Sequence, residues 1–565
     1  YITQSVEQSP SNTLTTYNFT SHYVLWTRAS FPTMPPTNSI HSPKEIDAEK
    51  HEMVSNEVAR GHNEHISAVD ADFLAGFTDE QRRRVLRKVD WRLVPMLLIL
   101  YLISFIDRAN IGNAKIEGLL PSLNMSGTQY NIALAIFFVP YTLAGECLRL
   151  QNVSTSANAG SEIPSNMILD KFNRPSVFMG TIVFIWGVIV MCTGFVTGFA
   201  SLCVTRVFLG LFEAGFFPGA ILIISKWYLP HESQTRIAIF FTASALAGAF
   251  SGLLAYGIVR MDGVAGYEGW RWIFILEGLA SAIAGLACFW LLIDTPARST
   301  SWLSADEIRY LELRQVAIGR FKPAGHKEKH FDMRVFLTVL KDWKIYLLII
   351  AFWSNVTPNY GLKFTMPQIM KNMGYSSANA QLLTIPAYTV GAISAYSFSV
   401  LSDRLKWRMP TIVVPQMAVV IAYAILFAKA ADIKNNIGAC YFAVCLACFG
   451  LYPIGPGVQA WNMNNLAGPS KRAMGIGFMT GVGNMGGITG SFIFIEKEAP
   501  KYPSGFGSSL AFAAAGIVAC FTLEFLLWKI NGKNAKLSEE EVRDQYSDEE
   551  LDRMGDKSPL FRYTL

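Results

Sequence analysis

Apolar residues in this chain come in long blocks rather than in the alternating or one-faced patterns of a soluble domain. Blocks lie near 93–112, 130–169, 177–195, 199–224, 237–259 and 272–293, then near 345–367, 380–401, 411–430, 437–461, 473–495 and 510–528. Most reach the length of about 20 residues that a helix needs to cross hydrocarbon. In lipid each backbone amide must be satisfied within its own segment, so blocks of this length read as membrane-crossing helices. The pattern predicts an all-α polytopic membrane protein of twelve transmembrane helices in two six-helix halves, 91–294 and 344–530. A charged stretch at 295–343, carrying Arg298, Arg309, Arg314, Arg320, Lys322, Lys327 and Lys329, separates them as a linker.

Composition agrees: 51% of residues are hydrophobic and 16% charged, against roughly 25% charged in soluble domains. The net charge of +5 is spread over short segments between blocks and forms no continuous nucleic-acid face. It sets orientation instead. Arg82, Arg83, Arg84, Arg87, Lys88 and Arg92 precede the first block, and alternate loops carry Lys171/Arg174, Lys226/Arg236, Arg404/Lys406/Arg408 and Lys471/Arg472. By the positive-inside rule both termini are expected in the cytoplasm, in a multi-pass protein of the plasma membrane. Residues 1–90 read as a largely disordered cytoplasmic segment, or in their first 46 as upstream sequence brought in by a wrong gene model, and 531–565 as a short polar tail. The cysteines within apolar blocks pack as small hydrophobes, so no disulfide framework is expected.

The second block is broken. Between Leu143 and Ile163 the chain reads GECLRLQNVSTSANAGS before apolar character resumes. A polar loop facing lipid at mid-depth would leave backbone groups unpaired. Gly145-Glu146-Cys147 can be encoded with a GTGAGT donor, and Ser156 to Gly160 with a CTAAC branch sequence and a CAG acceptor. Residues 145–161 therefore read as a retained intron or insertion. The alternative is a genuine loop glycosylated at the sequon Asn152-Val153-Ser154.

Two loops repeat one order of charges: Asp170-Lys171-Phe-Asn-Arg174 after the second block and Asp403-Arg404-Leu-Lys-Trp-Arg408 after the eighth. The halves look like repeats. The loops resemble the cytoplasmic gating loop of the major facilitator superfamily, in which an acid and bases latch neighbouring helix ends, although the usual glycine four residues before the acid is missing.

Ionisable residues within spans are functional candidates, because each is costly in lipid and faces the bundle interior or a partner. Asp107 and Arg108 lie in the first span with Asn110 and Asn113; Arg108 suits two-pronged binding of a carboxylate, or else forms a structural pair with Asp107. Arg206 and Glu213 sit seven residues apart in the fourth span, on one helical face about 10 Å apart. A substrate competing for an arginine there would change the acid's proton affinity; the alternative is that Arg206 only caps or tethers neighbouring helices and Glu213 is a satisfied buried acid. Glu277, two turns inside the sixth span, is a weaker proton candidate, behind a Trp270/Trp272 pair that reads as an interfacial anchor. In the second half Asn355, Asn359, Tyr360 and Lys363, then Trp461, Asn462, Asn464 and Asn465, either meet substrate or bond across helices, with Asn359 and Tyr360 favoured by depth. Gly481-Val-Gly483-Asn-Met-Gly486 and Cys445-Leu-Ala-Cys448 match nucleotide and redox motifs, but both lie inside apolar helices and read as packing. No metal cluster or nucleophile–base set appears, so an enzyme is not expected.

Asp107-Arg108-Ala-Asn110-Ile-Gly-Asn113, Glu162-Ile-Pro-Ser-Asn166, Arg206 to Gly219, Gly269 to Gly278 and Asn465-Leu-Ala-Gly-Pro-Ser-Lys471 resemble the fungal anion:cation symporter family, from about Asp90 to Lys529. The allantoate-permease branch is the most similar, and the second half looks most like nicotinate transporters. The resemblance implies import of a small organic monocarboxylate by proton symport with alternating access. It implies Arg108 at the substrate carboxylate, with Arg206 and Glu213 as the charged pair that gates or carries the proton; the residues themselves add Asn110, Asn359 and Tyr360 as substrate candidates and Asp107 and Glu277 as proton-coupling candidates. The partners implied are a small organic anion, a proton and the lipid bilayer, in a monomer without cofactor or nucleic acid. A non-transporting nutrient sensor of the same fold is the competing reading. If 145–161 is an unspliced intron, the mature transcript lacks its codons; sequencing a message that retains them would leave the loop.

Overall fold

The computed structural model describes residues 68–152, 174–317, 333–405 and 407–565. Among them the regular elements are helical. Helix α1 (Ala68–Ala75) precedes α2 (Asp79–Ile116). A capping box starts α2: the Gln81 amide donates to Thr78 Oγ1, and the Thr78 amide donates to Gln81 Oε1. The basic run Arg82 to Arg92 forms its first turns, so the helix reaches 38 residues. Then come α3 (Gly127–Asn152), α4 (Pro175–Thr193), α5 (Phe199–Glu213) with its continuation α6 (Phe216–Trp227), α7 (Pro230–Ile258) and α8 (Gly269–Leu291). Helices α9 (Ala305–Ala317) and α10 (Met333–Leu340) lie between the halves. The second half holds α11 (Trp343–Asn372), α12 (Ser377–Leu405), α13 (Met409–Lys429), α14 (Ile437–Asn464), α15 (Pro469–Asn484) with its continuation α16 (Gly486–Phe492), and α17 (Pro503–Asn534). Counting each continued pair once gives the twelve crossings, six in each half.

Helix α3 differs from expectation. It runs through Gly145 to Asn152, into the segment expected to interrupt it. A helix satisfies its own backbone whatever its side chains, so polar side chains alone do not end it. Residues 153–173, which include Glu162, Asp170 and Lys171, lie outside the described residues.

Seven helical segments, α5 with α6 among them, are long and apolar enough to cross a membrane by length and composition. Of the other crossings, α3, α11, α12 and α15 with α16 carry more polar residues. The seam between the halves is formed where α3 packs on α15 and α16 while α7 packs on α12. Where these helices cover one another they tolerate polar residues. The seam is tight at several glycines, Gly248 and Gly252 of α7 against α12 among them. A Cβ on Gly487 would run into the Phe138 ring, and one on Gly112 would fall 3.1 Å from the Phe364 carbonyl.

Buried side chains form two cores, one drawn from Leu74 to Ala317 and the other from Val339 to Tyr563; Phe364 joins the first and Ile116 the second. Polar ties between halves gather at the end of the bundle away from the chain termini. There Lys371 Nζ (2.8 Å) and Ser377 Oγ (3.2 Å) donate to the Ile116 carbonyl, Gln381 donates to Glu117 (2.9 Å), Asn131 donates to the Phe494 carbonyl (3.4 Å), and Lys115 faces Glu496.

At the opposite end the linker and tail are built into the bundle. On α9, Arg309 pairs with Asp70, Glu307 with Lys88, and Arg314 with Glu232 and the Trp227 carbonyl. After α18 (Glu539–Gln545) and α19 (Asp548–Met554), both opened by serine capping boxes, the tail turns back onto the second half. Trp461 and Asn465 donate to the Thr564 carbonyl (2.9 and 3.0 Å), Asn531 donates to the Tyr563 carbonyl, and the Arg408 amide donates to the Leu565 carbonyl. The polar residues ending α14, read from sequence as substrate contacts or cross-helix bonds, thus partly serve tail docking.

Under the tail a buried ionic cluster joins Lys344 to Asp556, and Lys471 to both Asp342 (2.8 Å) and Asp556 (2.7 Å). Burial acts to raise the Asp556 carboxyl, but the two lysines outweigh it and hold it below the usual aspartate range. Because the folded-state value is depressed, the stabilisation is complete above the unfolded value and is lost as pH falls through the folded one. Asp556→Asn should therefore lower thermal stability, by about 3–5 kcal/mol at pH 7 by analogy with broken buried pairs. The difference from the unsubstituted protein should hold from pH 8 to pH 5 and close only below about pH 4. A Tm difference that closes near pH 6 would remove Asp556 from this role.

Candidate functional site

Glu213 ends α5 at the middle of the fourth crossing, on the buried face that also holds Leu202, Arg206, Leu209 and Gly210. Its carboxylate is met from the first crossing, where Ser104 and Arg108 lie four residues apart and share one helical face. Ser104 Oγ and Arg108 Nε both donate to Glu213 Oε1, the latter at 2.6 Å; Oε2 has no hydrogen-bond partner among the described residues. The ion pair of Glu213 is therefore with Arg108, not with Arg206. Seven residues of helix hold Arg206 and Glu213 too far apart for direct contact, whereas Arg108 crosses from the neighbouring helix.

Arg108 also reaches the second half. Its Nη1 donates to Tyr360 Oη of α11 at 3.2 Å. Aromatic faces complete the cage: Tyr141, Phe105 and Phe137 lie 4.5, 5.0 and 5.4 Å from the guanidinium carbon to ring centroid. Phe105 precedes Arg108 by one turn and Phe137 precedes Tyr141 by four residues, spacings visible in the sequence but not marked by it as a cage. The Tyr360 ring packs on Phe138 and Phe364.

Behind this pair lies a second group of buried polar residues. Asp107 Oδ2 accepts from Trp186 Nε1 (3.0 Å) and Ser281 Oγ (2.8 Å), while Oδ1 is unpartnered. Both Glu277 oxygens and Arg206 Nε and Nη2 also have no hydrogen-bond partner among the described residues. Asn110 is fully enclosed and its oxygen accepts from Ser251 Oγ (3.1 Å), which in turn accepts from Asn113 (2.8 Å). Thus Asn110 ties α2 to α7 and leaves only its amide nitrogen unpaired.

On α11, Asn359 is half-buried beside Tyr360. Lys363, one turn further, is 5% exposed, with Nζ 4.5 Å from the Phe105 centroid. Asn355 instead bonds within the second half, to the Leu451 carbonyl of α14. Trp270 is fully buried and donates to Glu268, so it packs rather than anchoring at an interface. Of the gating-loop residues, Arg174 caps α4 in an exposed position, Arg404 is exposed, and Arg408 donates to Ser402 (2.6 Å). Asp170, Lys171 and the Asp403 side chain lie outside what is described.

Residues 97–491 match the family model of the Major Facilitator Superfamily. Over 497 residues the chain is 37% identical to "MFS-type transporter cnsO" of Penicillium expansum, covering 86% of this chain and 92% of that protein. It is 29% identical to the "High-affinity nicotinic acid transporter" of Saccharomyces cerevisiae, over 88% of each. Among solved structures it resembles a bacterial homologue of the human lysosomal transporter Spinster, inward-facing and occupied, with a TM-score of 0.55, 17% identity, and coverage of 77% and 95%.

Removing one member of the Arg108–Glu213 pair leaves a buried charge unmatched, whereas removing both does not. Glu213→Leu or Arg108→Met alone should each cost about 3–5 kcal/mol of thermal stability. The double variant should recover most of that loss. Additive losses in thermal unfolding would show that the two side chains do not compensate each other.

Proposed function

The chain belongs to the Major Facilitator Superfamily, and from that membership we propose that it imports a small organic monocarboxylate together with a proton. The observation that carries this reading is Arg108: a buried guanidinium, paired with one carboxylate, standing between the halves of a bundle. A buried arginine whose counter-ion is a titratable acid can exchange that counter-ion for a substrate carboxylate of the same shape. Glu213 would then be left without compensation in a buried site and would take up a proton. Proton and anion thus load together, and each is released when Glu213 and Arg108 pair again. Asp107, Arg206 and Glu277 lie behind the pair with unpartnered polar atoms, and they supply the path by which the proton reaches Glu213. The similarity to a nicotinic acid transporter, and the resemblance to the allantoate-permease branch of the anion:cation symporters, support nicotinate-like cargo.

Alternating access assigns the ties at the far end to the outer gate, with both termini in the cytoplasm of a plasma-membrane carrier. Lys371, Ser377 and Gln381 must release Ile116 and Glu117 before that face opens.

The test is uptake of labelled nicotinate, allantoate and pantothenate into vesicles with and without an inward proton gradient. Accumulation should follow the gradient. Glu213→Gln should abolish gradient-driven accumulation while retaining exchange of labelled for unlabelled substrate. Gradient-driven uptake that persists in Glu213→Gln sinks the proton role; entry of neutral sugars or cations in place of all three anions sinks the substrate class.

A further inference from the structure

Lys363 is a buried cation outside the Arg108–Glu213 pair. It sits on α11, one turn after Tyr360, so both face the same way. Its ammonium lies 4.5 Å from the Phe105 centroid and 5.9 Å from that of Tyr360. Arg108 stands over the same Phe105 ring at 5.0 Å and hydrogen-bonds the same tyrosine. Two cations, one from each half, therefore share one aromatic wall and come within reach of one small molecule.

The charges around that wall do not balance. Glu213 answers Arg108, and no carboxylate among the described residues pairs with Lys363. An aromatic face returns only part of what desolvating an ammonium costs. A buried cation without a counter-ion marks where a ligand's negative charge belongs.

We infer that Lys363 is a second ligand for the substrate carboxylate and, with Arg108, clamps the anion between the two halves. The inference rests on the reading that the cargo is a carboxylate. The clamp is a tie across the seam that exists only when cargo is bound. In the empty site Lys363 is where an incoming anion is first neutralised, since Arg108 is already paired. The second carboxylate oxygen then displaces Glu213 from Arg108, and Glu213 takes up the proton. Neutral molecules of the same shape leave Lys363 uncompensated and are rejected.

Thermal unfolding of the purified full-length carrier tests this, with nicotinate, benzoate and pantothenate as probes and nicotinamide and benzamide as neutral counterparts. The unsubstituted protein should shift upward with at least one carboxylate and not with the amides. Lys363→Met should unfold, without ligand, at the same temperature or higher, because an unpaired buried charge is gone. It should also lose the carboxylate-induced shift, with apparent affinity weaker by at least about tenfold. Lys363→Arg should keep part of the shift. A wild-type shift in Lys363→Met overturns the assignment and leaves the carboxylate reading standing, as does a ligand-free Tm that falls with affinity unchanged, the mark of a purely structural contact with Phe105. A parent protein that answers the amides as well as the acids, or none of the carboxylates, overturns the carboxylate reading and this inference with it.

Discussion

A guanidinium enclosed in a lipid-clad bundle has to be matched by the protein itself, and much of the interior arrangement follows from how Arg108 is matched. Burying an unpaired ion is far more expensive than any single packing contact can offset. Arg108 is therefore met by a carboxylate, a hydroxyl and three aromatic faces, drawn from α2, α3, α5 and α11. Glu213 in turn needs Arg108 and Ser104, which fixes the rotation of α5 against α2. Tyr360 carries the arrangement across the seam. Two separately cored halves are thus joined at mid-depth by a polar bond, and glycines at 112 and 487 let the helices close to that distance.

The same constraint explains the uneven hydropathy of the crossings. Helices facing lipid must be apolar on most of their surface, while α3, α12, α15 and α16 pack across the seam on one face and are relieved of that demand there. The polar residues of those helices follow from their position at the seam. Apolar blocks and basic loops made all twelve crossings legible in the sequence, because the bilayer acts on each segment separately. The rarity of charge within spans likewise made Asp107, Arg108, Arg206, Glu213 and Glu277 legible as candidates.

What the sequence does not carry is which of those charges meet. Spacing along one helix made Arg206 and Glu213 the natural pair, and the partner came instead from a helix more than a hundred residues away. Crossing geometry, not periodicity, decides such contacts. The docked tail was illegible for a related reason. A polar segment looks solvated until the groups awaiting it are seen together, here Lys344, Lys471, Trp461 and Asn465, which come from three helices. The phenolic and aromatic wall around Arg108 is built of residues that elsewhere would be ordinary core.

The unmatched atoms show where the molecule is built to change. Deep in the first half, Asp107 Oδ1, Glu213 Oε2, both oxygens of Glu277 and two nitrogens of Arg206 lack hydrogen-bond partners among the described residues. In the second half the comparable depth is furnished with neutral groups, some bonded across helices (Asn355 on Leu451, Tyr423 on the Pro358 carbonyl, Thr357 on the Gly486 carbonyl) and some, such as Gln416 Oε1, Tyr452 Oη and Ser509 Oγ, without a hydrogen-bond partner among the described residues. A saturated network resists change, because each bond broken must be replaced. An unsaturated one accepts a proton or an anion without that cost. If the carrier moves an anion with a proton, the unmatched charged groups of the first half are the ones that rearrange, facing Tyr360 and Lys363 of the second.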